Sequence, residues 1–181
     1  TTPIDQGLAK EREVFQQLRV STEAKALRHQ FFAERKLFKA LSQNEAQAKS
    51  LERVAIIGAG TMGSGIAIAC LSAGYSVHLL DQSAVSLANG IKKVEDFYSS
   101  RLINGKMSAE KVAAVLGRFT HSSQWSDIAS ADLIIEAVFE DMEVKHAVFE
   151  KIEENASPNA LLASNTSYLD IDAIARSEEH T

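Results

Sequence analysis

The run Val54-Ala55-Ile56-Ile57-Gly58-Ala59-Gly60-Thr61-Met62-Gly63, with Asp81 eighteen residues beyond its last glycine, constrains the fold more than any other part of this 181-residue chain. Val54 to Ile57 is an unbroken apolar stretch ending in glycine, the pattern of a buried parallel strand. Three glycines then fall where strand, tight turn and helix start must meet. Gly58 lets the chain leave the strand sharply, Gly60 leaves bare backbone for a pyrophosphate, and Gly63 lets the helix lie close on the sheet. The helix reads as 61–73, stopped by Gly74 at a left-handed cap. Its first-turn amides and positive dipole end attract an anion without a cationic side chain.

A second strand, Ser76-Val77-His78-Leu79-Leu80, delivers Asp81 to its carboxyl end. A carboxylate there can accept hydrogen bonds from both adenosine ribose hydroxyls and repels a 2′-phosphate, so the expected dinucleotide is NAD rather than NADP. The structural alternative for Asp81 is a helix N-cap, a role Ser83 can fill equally well.

Composition sets the outer bounds. At 45% apolar and 24% charged the chain is ordinary for a globular protein, and a net charge of −5 argues against a nucleic-acid partner. Cys70 is the lone cysteine and falls on the packed face of the glycine-rich helix, so it reads as a small buried hydrophobe. No apolar run approaches the roughly 18 residues of a membrane span, and the expected location is soluble and intracellular. No residue is assigned to a metal.

Residues 1–48 differ in kind from the rest: two helical patterns, 8–18 and 22–41, rich in Ala, Glu, Lys, Arg and Gln, with no strand signal. In the second, Ala24, Leu27, Phe31, Arg35 and Phe38 approximate one helical face, with Phe32 beside them and Ser21 as N-cap. Such an aromatic stripe needs a partner, either the domain that follows or one preceding residue 1. Residues 43–50 read as a linker. From Glu52 onward strands and helices alternate, which means a parallel sheet. A long helix over 84–103, a turn at Asn104-Gly105-Lys106, a helix over 108–116, strands over 118–121, 131–138 and 160–163, and a helix over 143–152 complete the order. The strand over 131–138, apolar on both faces at Leu133 to Ile135, is expected at the centre. The fold class is therefore α/β, a Rossmann-like doubly wound parallel sheet at 49–181 preceded by a helical connector at 1–48.

Ligands of doubly wound sheets lie beyond the carboxyl ends of the strands, which singles out 58–63, 137–145 and Ser164-Asn165-Thr166-Ser167. The last is four small polar residues, each able to bond an amide or a substrate oxygen, or else a polar turn capping a helix near Asp170.

With these residues in place the chain resembles the L-3-hydroxyacyl-CoA dehydrogenase family, in its NAD-binding domain. The resemblance rests on the glycine run with Thr61-Met62, on Asp81-Gln82, on Ile135-Glu136-Ala137-Val138-Phe139-Glu140 and on Ala163-Ser164-Asn165-Thr166-Ser167, together spanning 52 to about 175. Phe31-Phe32-Ala33-Glu34-Arg35-Lys36 in turn resembles the connector of multifunctional β-oxidation enzymes, which joins an enoyl-CoA hydratase/isomerase domain to the dehydrogenase. The resemblance implies an oxidoreductase converting (3S)-3-hydroxyacyl-CoA to 3-oxoacyl-CoA. It places Gly58, Ala59, Gly60, Thr61, Met62, Gly63, Asp81, Gln82, Ala137, Glu140, Lys145, Asn165 and Ser167 at NAD. Asp81 and Gln82 take the adenosine ribose side, Glu140 and Lys145 the nicotinamide side, and Ser167 also meets the substrate's 3-oxygen as the catalytic candidate. Lys145 has a simpler reading as a solvated helix residue paired with Asp141. Lys92, Lys93, Arg101 and Lys106 are candidates for the coenzyme A phosphates, or charges that keep a long helix soluble.

Family members move the hydroxyl proton with a histidine oriented by a glutamate beyond the Ser-Asn-Thr-Ser segment. None of His29, His78, His121, His146 and His180 matches that position. The expectation is an internal piece, truncated at its C-terminal end, that does not turn over alone because a proton acceptor within reach is required. Packing on an upstream hydratase domain, a downstream helical domain or another copy is also expected, in bacterial cytoplasm, mitochondrion or peroxisome. Two rival readings remain open: an NAD-dependent dehydrogenase of another short hydroxy acid, and a non-catalytic dinucleotide-binding module.

Overall fold

A computed structural model describes residues 3–42 and 49–175, which fall into two compact units dividing after Lys49. The linker reading at 43–50 lies mostly outside the described residues, and so do 176–181 with His180.

The first unit is α1 (Ile4–Arg19) followed by α2 (Thr22–Ser42). Ser21 caps the second helix as its sequence position indicates, its Oγ accepting from the Ala24 amide at 3.1 Å, and Arg28 reaches back to the Arg19 carbonyl at 2.9 Å. Phe31 meets Phe32 edge to face at 5.4 Å, with the Arg35 guanidinium 5.1 Å over the Phe31 ring. No residue of α1 is buried, and Phe31, Phe32 and Phe38 are 51%, 62% and 69% exposed, so the helix pair makes no core of its own from the aromatic stripe.

In the second unit the order is β1 (Arg53–Ile57), α3 (Thr61–Ala73), β2 (Ser76–Leu80), α4 (Ala84–Ile103), α5 (Ala109–Leu116), β3 (Phe119–Ser122), a 3₁₀ turn at Trp125–Ile128, β4 (Leu133–Glu136), α6 (Met142–Asn155), β5 (Leu161–Ser164) and α7 (Ile171–Ala175). All strand pairs are parallel and their spatial order is β3-β2-β1-β4-β5. This is a Rossmann-like α/β sheet, with one correction to the expected order. The middle position belongs to β1, and β4 is the interior strand beside it. Both strands are apolar on both faces, and that pattern separates interior strands from edges without ranking the interior ones.

Alternation along β1 sorts its side chains into two layers. Val54 and Ile56 join Ala67 and Leu71 of α3, Val94 and Tyr98 of α4 and Val112 of α5. Ala55 and Ile57 join Ile134 of β4, Phe149 and Ile152 of α6 and Ile174 of α7. Tyr98, fully buried, satisfies its hydroxyl on Ser72 Oγ at 2.9 Å and on the Ile68 carbonyl at 3.2 Å. Cys70 is half-buried against the first layer, where burial pushes its thiol up and keeps it protonated. Gly74 ends α3 at φ +105°, with the Tyr75 amide closing on the Cys70 carbonyl at 3.1 Å. Among the described residues no helix is long and apolar enough to cross a membrane.

Candidate functional site

Every strand of the parallel sheet ends on the same side, and the order reverses between β1 and β4, so the loops after those two strands part. Between them lies a crevice of about 740 Å³.

One wall is the glycine loop. Gly58 sits at φ +103°, and a Cβ there would come within 2.7 Å of the Ala137 carbonyl oxygen, so the loops after β1 and β4 touch through backbone alone. A Cβ at Gly63 would fall on the Gly58 carbonyl. Gly60 is different, because a Cβ there would project into open space with nothing within 4 Å. The first intrahelical bond of α3 runs from the Ser64 amide to the Gly60 carbonyl at 3.1 Å, so Thr61, Met62 and Gly63 begin the helix with amides that have no acceptor in it. Lys93 Nζ reaches Thr61 Oγ1 at 3.3 Å and puts a cation beside that mouth.

Asp81 stands at the end of β2 as its place in the sequence requires. Its Oδ2 accepts from the Ala59 amide and its Oδ1 from the Ser83 amide, both at 2.8 Å, while Ser83 caps α4 through the Ser86 amide at 3.2 Å. The carboxylate therefore fixes the glycine loop to the adjacent strand and also lines the crevice. Ala59, 1% exposed, spends its amide on that link. Gln82 turns away, donating to the Ser123 carbonyl at 2.7 Å.

The opposite wall is built from 137–140 and 164–168. Glu140 staples them: its Oε1 accepts from Thr166 Oγ1 at 2.7 Å and from the amides of Ser167 and Tyr168 at 2.8 and 3.3 Å. Those donors, the Thr166 hydroxyl foremost, hold its carboxyl down from 4.5 to about 2. A carboxyl whose folded value is depressed lends stability above its ordinary range and loses it as pH falls from about 4.5 towards 2. Glu140→Gln should accordingly melt below the parent at pH 7, and the gap should close on acidification to pH 2. Thermal melts across that range check it, and a gap independent of pH would refute the staple.

Behind this wall lies a buried ion pair. Lys145 has no exposed side-chain surface, and its Nζ lies 2.8 and 2.7 Å from the two oxygens of Glu136 and 3.2 Å from Glu140 Oε2. Glu136 also accepts from the Val138 amide at 2.7 Å and from Ser164 Oγ at 2.6 Å. The simpler reading of Lys145, a solvated partner of Asp141, does not hold: Asp141 caps α6 through the Val144 amide at 3.1 Å.

The crevice thus brings together Gly58, Gly60, Thr61, Met62, Asp81, Ala137, Glu140, Asn165 and Ser167. Ala59, Gly63 and Lys145 stand behind its surface and Gln82 lies beside it. Two supporting residues carried no role in the sequence reading. Gly90 lets α4 approach the glycine loop, since a Cβ there would meet Ala59 at 2.7 Å, and a glycine in mid-helix is its signal. Glu136, a charge closing an apolar strand, is the other. No described histidine lines the crevice: His78 bonds Thr120 and Ser122 across β2 and β3 at 2.9 and 3.0 Å, and His146 bonds the Ala173 carbonyl at 3.2 Å. Lys93, Arg101 and Lys106 border a separate hollow of about 420 Å³, while Lys92 pairs with Asp96 at 2.9 Å.

A dinucleotide fits these walls, with bare amides and an open Cβ direction at the middle, a carboxylate on the β2 side and hydrogen-bonding groups on the β5 side. The family profile described as 3-hydroxyacyl-CoA dehydrogenase, NAD binding domain, matches residues 53–181. The chain is 39% identical over 170 residues to the peroxisomal fatty acid beta-oxidation multifunctional protein AIM1 of Arabidopsis thaliana, covering 93% of this chain and 24% of that protein. To the peroxisomal bifunctional enzyme of Homo sapiens it is 35% identical over 182 residues, covering 98% and 25%. The crystal structure of 3-hydroxybutyryl-CoA dehydrogenase from Escherichia coli K12 superposes with a TM-score of 0.66 at 41% identity, over 70% of this chain and 27% of that one. The chain spans about a quarter of the length of these relatives. With the glycine loop, the acidic strand end and the crevice between them all inside the matched residues, the chain belongs to the 3-hydroxyacyl-CoA dehydrogenase family as its NAD-binding domain.

Proposed function

We propose that the crevice holds NAD with its pyrophosphate on the amides that open α3, its adenosine ribose on Asp81 and its nicotinamide against 137–140 and 164–167. The parent protein then oxidises (3S)-3-hydroxyacyl-CoA to 3-oxoacyl-CoA. The observation that carries this reading is the single crevice lined at once by Gly60, Asp81, Glu140, Asn165 and Ser167. Bound NAD supplies the hydride acceptor, and the protein supplies position and field. Gly58 and Gly63 shape the loop, Met62, Thr61 and Ala137 border the cofactor, and Ala59 anchors the loop through Asp81. Gln82 steadies the β2 end, and Lys145 acts through Glu140. The Ser167 hydroxyl, exposed and with no hydrogen bond among the described residues, is free to meet the 3-oxygen of a substrate. Glu140, with its carboxyl at about 2, is a weak base for the substrate's hydroxyl proton, a role the family resemblance gives to a histidine beyond the Ser-Asn-Thr-Ser segment.

The helices α1 and α2 then serve as the connector to a hydratase/isomerase domain, against which the phenylalanine stripe packs. The relatives named peroxisomal support a soluble parent protein in that compartment.

Asp81→Ala tests the cofactor's placement. A hydrogen bond to a charged group contributes about 1.5–3 kcal/mol, so NADH affinity should fall about 10- to 100-fold by fluorescence titration. NADPH affinity should fall by less, because the loop anchor is lost to both cofactors while the repulsion of the 2′-phosphate goes with the carboxylate. Equal losses for both would mean that Asp81 only braces the loop.

A further inference from the structure

We infer that Glu136, Lys145 and Glu140 form a triad that sets one uncompensated negative charge against the nicotinamide side of the crevice, and that this charge raises the domain's affinity for the oxidised, cationic cofactor relative to the reduced one. The inference rests on the cofactor placement proposed above.

The charge balance follows from the contacts. An ammonium has three donors, and those of Lys145 face three carboxylate oxygens, both of Glu136 and Oε2 of Glu140. Lys145 and Glu136 have no exposed side-chain surface, whereas Glu140 is 31% exposed and lines the crevice. Two carboxylates against one ammonium leave one negative charge, and it emerges where the group meets the crevice. The remaining partners of Glu140 are the Thr166 hydroxyl and the backbone amides of Ser167 and Tyr168, which stabilise the carboxylate without cancelling its charge. The ionisable carboxylates lining the crevice are Asp81 and Glu140, and the nearby cation, Lys93, stands at Thr61 on the phosphate side.

The two redox forms of the cofactor share adenosine, both riboses and pyrophosphate, and differ by one positive charge on the nicotinamide ring. Interactions with Asp81, Lys93 and the glycine loop are common to both and cancel in the ratio of affinities. That ratio therefore reads the field at the ring, and a partly buried charge is screened less than one in open solvent. If Glu140 only stapled the two loops, its loss would weaken both forms alike.

Two variants separate these outcomes, with NAD⁺ affinity measured by calorimetry and NADH affinity by fluorescence. Glu140→Gln should lower the NAD⁺ to NADH affinity ratio about tenfold, the order expected of one unit charge in a partly solvated crevice. Glu136→Gln neutralises the triad from behind the wall while its amide oxygen keeps an acceptor for the Val138 amide and its NH2 can donate to Ser164 Oγ, and it should move the ratio the same way by about threefold. It also decides the matter if Glu140→Gln fails to fold. A ratio unchanged in both variants while both forms still bind overturns the inference and leaves the cofactor placement standing. A ratio that moves only in Glu140→Gln overturns the triad in favour of a local contact. An unaltered protein that binds neither form sinks the placement itself.

Discussion

Gly60→Val leaves the domain folded and removes NAD binding. A Cβ at Gly60 meets nothing within 4 Å, and its φ of −66° lies where any residue is at ease, so neither packing nor backbone opposes the change. The added side chain occupies the space beside the Thr61 and Met62 amides, where the proposed placement puts the pyrophosphate. Losing two amide bonds to phosphate, at about 1.5 kcal/mol or more each, weakens binding by about 100-fold or more. Thermal melting should be unchanged while the fluorescence enhancement of NADH disappears. Gly63→Ala is the informative contrast: its Cβ falls on the Gly58 carbonyl, so stability and binding should drop together. Retained NADH affinity in Gly60→Val would place the phosphates elsewhere.

That contrast shows why the first half of the domain is legible in the sequence. Residues 61–73 read as a helix and form one, Ser76–Leu80 reads as a strand and is one, and Asp81 reaches the crevice rim. Gly58 and Gly63 meet steric demands of the fold itself, whereas Gly60 leaves open the space the proposed ligand needs, so the spacing carries the geometry. β4 was less legible. Eight apolar-rich residues suggest a strand over 131–138, yet only Leu133–Glu136 pairs regularly. At one end the Asp132 carboxylate takes the Glu52 and Arg53 amides at 3.0 and 2.9 Å, and at the other Ala137 turns to the Gly58 loop. Single amide bonds to β1 continue beyond that span, from Asp132 to the Arg53 carbonyl at 2.9 Å and from Ala137 to the Ile57 carbonyl at 2.8 Å, so apolar composition marks the strand without fixing its ends.

The far wall was legible in composition and opaque in wiring. Small polar residues after β5 announce a binding loop, and Asn165 and Ser167 do line the crevice. Nothing within 164–167 reveals that its order depends on Glu140, which is 26 positions before Thr166. Lys145 is the sharper case. On a helix with Asp141 four residues earlier it reads as a surface pair, since helical periodicity sees only neighbours on the same helix. Its partner Glu136 sits on the preceding strand, and their meeting depends on how α6 folds back onto the sheet. A single acid at the end of an apolar strand is the signal for such a pair, because a lone buried carboxylate would be too costly to keep.

Lys145→Ala should therefore be among the most damaging single changes in the domain. It removes the counter-ion of Glu136, which has no exposed side-chain surface, and leaves that carboxylate only the Val138 amide and Ser164 hydroxyl. Breaking a buried pair from one side costs about 3–5 kcal/mol, against a total stability of about 5–15 kcal/mol for a domain of ordinary size. Urea unfolding should show the midpoint falling with little change in slope, as expected when the surface exposed on unfolding is unaltered. Replacing both partners, Lys145→Met with Glu136→Leu, should recover much of the loss, because the main penalty is the orphaned charge rather than the missing attraction. Recovery should be incomplete, since the Val138 amide and Ser164 hydroxyl then lose their acceptor. A Lys145→Ala protein that unfolds within about 1 kcal/mol of the parent would mean that water reaches Glu136, and the wall behind Glu140 would be wetter than its burial indicates.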